Sequence, residues 1–287
     1  MNKLKIILEM IKFEHTIFAL PFAYMGAILG SIVVNGTWPT FSQLFWTTLA
    51  MVGARSAAMA LNRTIDRVID GKNPRTAIRA IPAGLLSVKE VNVFIVASFA
   101  LLFIAAFQLN MLAVKLLPIA VFVLVLYSYT KRFTWTCHLV LGAAIGLAPL
   151  GGWVATTGQV DAVSLLLFVT VALWTAGFDV IYACQDTDFD KTHGLFSIPS
   201  HFGLAKALKI ARWLHVVTVI GFIALYFIAG LNVWFALGVL VAAAILIYEH
   251  SLVSPTDLSK LNTAFFTMNG VLSVVVFVFT MIDLVIS

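Results

Sequence analysis

The chain has 287 residues, of which 61% are hydrophobic and only 11% charged, against about 25% charged in soluble domains. With a mean hydropathy of +1.02, this balance excludes a soluble globular protein and specifies a polytopic membrane protein. The 18 basic and 13 acidic residues leave a net charge of +5. Unequal sharing of lysine and arginine between the loops accounts for that excess, so it implies no nucleic-acid partner.

Nine apolar segments are long enough to cross about 30 Å of hydrocarbon: roughly residues 14–34, 41–63, 91–109, 112–130, 137–156, 162–184, 210–229, 232–250 and 265–286. The basic amphipathic start, MNKLKIILEMIKFEHT, reads as a lead-in lying on the membrane, and no cleavable signal peptide is expected. Glu14 and His15 stand at the mouth of the first span, where His15 either meets a polar ligand or anchors the helix at the interface. Pro21 bends that span.

If the spans alternate, Lys3, Lys5, Lys12, the Arg63–Lys89 loop, Lys131, Arg132, the Lys191–Arg212 stretch and Lys260 all share one side. The opposite loops, near Asn35, Asn110, Gly158 and Gly230, carry almost no cations, Lys115 being the nearest. Positive charge stays inside, which makes the basic side cytoplasmic in a bacterial-type plasma membrane. Cys137 and Cys184 lie near that reducing side, and neither a disulfide nor a metal thiolate is expected.

The second span carries Arg55 two turns before Asn62. An arginine at that depth is costly and faces a polar cavity or a partner. From Arg55 to Gly84 the chain reads RSAAMALNRTIDRVIDGKNPRTAIRAIPAG. Asn62, Asp66 and Asp70 recur every four residues, and four steps of about 100° overshoot one turn by only about 40°, so the three share a stripe. Arg63 and Arg67 flank it, and Arg75 and Arg79 follow. Such a stripe suits a hard cation that carries phosphate; the alternative is a solvated helix end with local ion pairs.

Spans three and four form a hairpin about Gln108–Asn110. Lys131 and Arg132, closing span four, read either as snorkelling cations or as a phosphate clamp. Span five is rich in glycine and alanine for close helix packing, with Trp153 a candidate cavity wall. Span six ends in FDVIYACQDTDFDKTHGLFSIPSHFGL. Here Asp186 and Asp190 are again four apart, Tyr182 lies four before and Asp179 three before that, while Asp188 points elsewhere. Each stripe is followed by a lysine (Lys72, Lys191), an Ile-Pro pair (Ile81-Pro82, Ile198-Pro199) and Gly-Leu. Two spans ending alike indicate an internal duplication facing one site. The last three spans carry no comparable signal; their loop YEHSLVSPTDLSKLN folds over the cytoplasmic mouth, and Asn262 and Asn269 receive no role. No P-loop, zinc spacing, nucleophile elbow or soluble extension is present, so one integral domain spans 1–287.

The strings NRTIDRVID, NPRTA and IPAG, then YTKR from Tyr129, then YACQDTDFD and SIP from Ser197, resemble the signatures of the UbiA family of intramembrane prenyltransferases, in order and over nearly the whole chain. The resemblance implies an all-α fold of nine membrane helices in two related halves around a cytoplasm-facing cavity. It implies transfer of a polyprenyl group from polyprenyl diphosphate to a small aromatic acceptor, dependent on Mg²⁺. Two ions would sit between the motifs, one on Asn62 and Asp66 and one on Asp186 and Asp190, with Asp70 in support. Asp66, Asp186, Asp190 and Arg67 are the expected catalytic residues; Arg55, Arg63, Arg75, Lys131, Arg132, Tyr182 and Lys191 are expected to bind substrate. Arg63 and Arg79-Ala80 depart from the commoner Asp and Arg-Pro, and the four-residue spacing survives both. The opening KFEHTIFALPFA resembles members that prenylate 4-hydroxybenzoate in ubiquinone-type biosynthesis, with a dihydroxynaphthoate acceptor in menaquinone biosynthesis as the alternative. A cation-coupled transporter also combines repeats with intramembrane acids, but these acids gather at one face beside an arginine-rich loop, not at the midplane.

Overall fold

The computed structural model describes residues 3–12 and 19–286, and among these the backbone is helical almost throughout, with one isolated bridge between Ser254 and Asp257. A bilayer demands this, because a helix satisfies its own backbone donors and acceptors. The helices are α1 (Lys3–Met10), α2 (Leu20–Asn35), α3 (Phe41–Ile65), α4 (Arg67–Lys72), α5 (Val88–Leu109), α6 (Met111–Thr130), α7 (Cys137–Thr157), α8 (Ala162–Ala183), α9 (Thr187–Thr192), α10 (Ile198–Phe202), α11 (Leu204–Ile228), α12 (Val233–Ser251) and α13 (Asn269–Ile286). Among the described residues eight helical stretches are long and apolar enough to span, one of them running from α8 through a 3₁₀ turn into α9; α2 is apolar but shorter, at 16 residues. Glu14, His15 and the start of the expected 14–34 span lie outside the described residues.

The element order repeats. An apolar helix, a motif-bearing span, a short polar helix and two further spans occur as α2, α3, α4, α5, α6 and again as α7, α8, α9, α11, α12, the second time with the short α10 between α9 and α11. Span boundaries follow expectation except at two places. Helix α11 begins at Leu204, ahead of residue 210, because Ala207, Leu208 and Ala211 bury an apolar face there. The last span opens with a π-helical turn, Thr263–Met268, before α13.

Helix α7 packs between α2 and α8, and α3 runs along α5. The glycines of α7 permit this: a Cβ on Gly152 would stand 2.0 Å from the Ala23 carbonyl oxygen, and one on Gly26 of α2 equally 2.0 Å from that of Pro149. Backbones in such contact admit no side chain between them. Trp153 is fully buried in the core with Phe22, Trp174 and Phe178, so it is a packing residue and not a cavity wall. Asn269 is likewise buried, taking the indole N–H of Trp174 at 2.8 Å and donating to Glu249 at 3.1 Å. It fixes the junction of the π turn and α13.

At the end of the bundle away from the basic loops, Asn35 and Asn110 donate to carbonyls of α7 at 3.1 and 2.7 Å. At the basic end, α1 buries Ile6 and Met10 against Ala60, Ala80 and Leu86, and Lys3 pairs with Glu90. The apolar side of the lead-in helix therefore faces the protein itself.

Candidate active site

Both acidic stretches reach one cavity of about 670 Å³ at the basic end. Helix α3 ends at Ile65, yet the Asp66 amide still donates to the Asn62 carbonyl at 2.9 Å and the Asp70 amide to that of Asp66 at 2.8 Å. The helical register thus crosses the break, and all three side chains are buried on the same side. Helix α8 tightens into the 3₁₀ turn Cys184–Asp186 before α9 carries Asp190. Asp188, off the stripe, is exposed.

Cations hold three of these acids. Lys131 Nζ and an Arg132 guanidinium nitrogen lie 2.5 and 2.8 Å from the two oxygens of Asp66, and Asn62 donates to that carboxylate at 3.0 Å. Arg79 bridges both oxygens of Asp70 at 2.7 and 2.8 Å. Arg75 forks onto Asp186 at 3.0 and 2.5 Å, beside Asn73 at 3.1 Å. It also reaches the Tyr182 hydroxyl at 3.3 Å and covers its ring. Burial works most strongly against the Arg75 charge, but the hydrogen bond and charge of Asp186, with Tyr182 and Asp70, together outweigh it and raise its pKa. Asp190 accepts the Ser197 hydroxyl at 2.9 Å.

Of the expected site residues, Arg55, Asn62, Arg63, Asp66, Asp70, Arg75, Lys131, Tyr182, Asp186 and Asp190 line the cavity. Three do not. Arg67 is exposed and donates to the Thr64 carbonyl at 2.9 Å; it follows Asp66 by one residue, and the helix turns it outward. Lys191 is exposed for the same reason, one residue past Asp190. Arg132 grips Asp66 and the Ile65 and Ser128 carbonyls from outside the cavity. Sequence reasoning assigned no role to Asn73, Arg79, Ser197 and His138, which orient the acids. The detectable signal for His138 was a lone polar side chain opening a glycine-rich span.

Arg55 stands deeper, and its buried Nε has no hydrogen-bond partner among the described residues. It also borders a second, almost wholly apolar cavity of about 270 Å³, which shares Met59, Tyr127, Leu141 and Ile145 with the first. A doubly acidic chamber thus adjoins an apolar one.

The donor set fits a hard divalent cation: every candidate donor is a carboxylate or amide oxygen. Among the described residues no three His, Cys, Asp or Glu side chains gather as an ion-binding group. Pairs of donors are what Mg²⁺ uses when phosphate oxygens and water complete its octahedron.

Fold and cavity together describe a polytopic membrane protein with a doubly acidic, cation-rich chamber beside an apolar one. The signature of the UbiA prenyltransferase family matches residues 19–271, and the chain belongs to that family. It is 33% identical over 240 residues to a 4-hydroxybenzoate octaprenyltransferase of Vibrio atlanticus, covering 84% of each chain. It superposes with a TM-score of 0.85 on a UbiA homologue from Aeropyrum pernix, at 33% identity and covering 94% and 98% of the two chains. A UbiA homologue from Archaeoglobus fulgidus, solved with GPP and Mg²⁺, shares the fold at a TM-score of 0.77 and 20% identity, covering 98% and 99%.

Proposed function

We propose that this prenyltransferase moves a polyprenyl group from polyprenyl diphosphate to the ring of 4-hydroxybenzoate, from a cavity facing the cytoplasm across a bacterial plasma membrane. The observation that carries this reading is the meeting of Asn62, Asp66, Asp186 and Asp190, with their cations, above an apolar chamber. Those four side chains, supported by Asp70, would hold Mg²⁺, which when bound neutralises diphosphate charge and improves it as a leaving group.

The chain's own residues divide the remaining work. Lys131 and Arg75 line the chamber and donate to the diphosphate as its charge develops. The apolar cavity and the surrounding lipid take the tail. Arg55, whose buried Nε is an unused donor among the described residues, pairs with the acceptor carboxylate. Tyr182, stacked on Phe265 with centroids 4.1 Å apart, gives the chamber an aromatic wall that shields an allylic cation from water.

The test is purified protein with a polyprenyl diphosphate, MgCl₂, and 4-hydroxybenzoate or 1,4-dihydroxy-2-naphthoate, read by mass spectrometry. Prenylated hydroxybenzoate is expected. A product from the naphthoate alone would replace the acceptor, and no product from either would overturn the reading.

A further inference from the structure

The carboxylates of the cavity are not equivalent. Asp66, Asp70 and Asp186 are held by Lys or Arg, and Asp190 by Ser197. Glu9 is exposed at the rim beside Lys5. Asp179, which also lines the cavity, is held by an imidazole: its Oδ2 lies 2.6 Å from His138 Nδ1. The amide of Ile198 donates to His138 Nε2 at 3.2 Å. Nε2 is therefore the acceptor nitrogen, and the ring's proton sits on Nδ1, where it is donated to Asp179. An imidazolium would set two N–H groups against each other. Ser197, the neighbour of Ile198, holds Asp190, so two consecutive residues orient both carboxylates.

Depth separates Asp179 from the other acids. It precedes Asp186 by seven residues, as Arg55 precedes Asn62 (186 − 179 and 62 − 55). Both therefore lie two helical turns, about 10 Å, below the layer of oxygen donors. Phe178, Leu141 and Ile145 line the wall there. Carboxylates clamped by guanidinium or ammonium are poor bases, because the adjacent charge favours their ionised form; Asp179 Oδ1 has no protein partner among the described residues.

Resting on the aromatic prenyltransferase reading, we propose that Asp179 takes the proton from the acceptor ring and that His138 is the positioning residue that aims it. The allylic C–O bond breaks and its electron pair leaves with the diphosphate. A ring carbon ortho to the hydroxyl uses a π pair to bond the allylic carbon. The C–H pair at that carbon returns to the ring as its proton passes to Asp179 Oδ1, and solvent receives the proton after product leaves.

The test uses the full chain with prenyl diphosphate, MgCl₂ and 4-hydroxybenzoate, unlabelled or deuterated at both ortho positions, alongside calorimetric binding of a prenyl thiodiphosphate. Asp179→Asn should lower ring transfer about 10²-fold, the lower range for a positioned base. It should also acquire a primary isotope effect that the parent lacks, while binding the thiodiphosphate within about twofold of the parent. His138→Leu should show the same isotope effect, and His138→Asn, which keeps a donor at the Nδ1 position, should suppress it. Transfer by Asp179→Asn without an isotope effect overturns the proposal. Loss of thiodiphosphate binding also overturns it, placing Asp179 in the diphosphate layer. A parent that binds thiodiphosphate but prenylates no phenolic acid sinks the acceptor reading instead.

Discussion

The first and second acidic stretches share a spacing and differ in how their charges are balanced. Asp66 and Asp70 expose 2% and 5% of their side chains, whereas Asp186 exposes 19%. Among the described residues Asp66 alone faces two cations, while Asp186 has one, and Asp190 has only a hydroxyl. Among the described residues the cations paired with the acids of the two stripes, namely Arg75, Arg79, Lys131 and Arg132, all precede α7. The second half's own Lys191 faces outward. The duplication therefore supplies donors twice and counter-charge once. Arg75 carries that charge across the cavity, tying the loop of one half to the acid of the other.

The largest break in this asymmetry comes at Asp66. Asp66→Asn leaves Lys131 and Arg132 facing a neutral amide, and loss of one partner from a buried pair costs roughly 3–5 kcal/mol. We expect turnover to fall by at least about 10³-fold, beyond the loss of a single donor, and the melting temperature to fall as well. Asp186→Asn should be as inactive but melt closer to the parent, since one cation that is a third exposed loses its partner. Equal melting of the two variants would contradict the unequal wiring.

Next come the two adjacent cations, which the sequence treats alike and the fold separates. Lys131 lines the cavity, so Lys131→Ala should lower kcat about 10²-fold at saturating Mg²⁺. Arg132 acts through Asp66, so Arg132→Ala should raise the Mg²⁺ concentration needed by about 10-fold or more, as loss of a supporting partner of a metal ligand does, with a smaller change in kcat. Rates measured across a MgCl₂ series separate the two.

Arg55 sharpens the contrast between upper and lower layers. Removing a hydrogen bond to a charged group costs about 1.5–3 kcal/mol. Arg55→Leu should therefore raise the acceptor KM about 10- to 100-fold while leaving the KM for the diphosphate near the parent's. Comparable rises in both would move Arg55 into the upper layer.

The spans and the acidic stripes were legible because both rest on local periodicity: apolar runs of membrane length, and a four-residue repeat that holds even across the break at Asp66. What the sequence could not supply were partners distant along the chain. Arg132 and Asp66 are 66 residues apart, Arg75 and Asp186 111, and Trp174 and Asn269 95. The role of His138 depends on Ile198, 60 residues away. Charge alone also misled: Arg67 and Lys191 follow their acids by one residue, and about 100° of helical rotation turns each away from the stripe its neighbour occupies.

The smallest expected effect tests that last point. Arg67 and Arg75 are both basic, both exposed over part of their length, and both near the acidic stripe in sequence. Arg75 reaches across to Asp186 and Tyr182, while the hydrogen bond of Arg67 goes back to the Thr64 carbonyl of its own turn. Such an exposed local bond contributes on the order of 1 kcal/mol to folding, and the cavity wall does not include Arg67. Arg67→Ala should therefore keep kcat and both KM values within about threefold of the parent, a change of roughly 0.7 kcal/mol in barrier. Arg75→Ala in the same assay frees Asp186, removes a donor from the chamber, and should lower kcat about 10²-fold. A loss from Arg67→Ala that matched the Arg75→Ala loss would require the α4 turn to rotate its arginine into the cavity when substrate binds, and would restore Arg67 to the catalytic group.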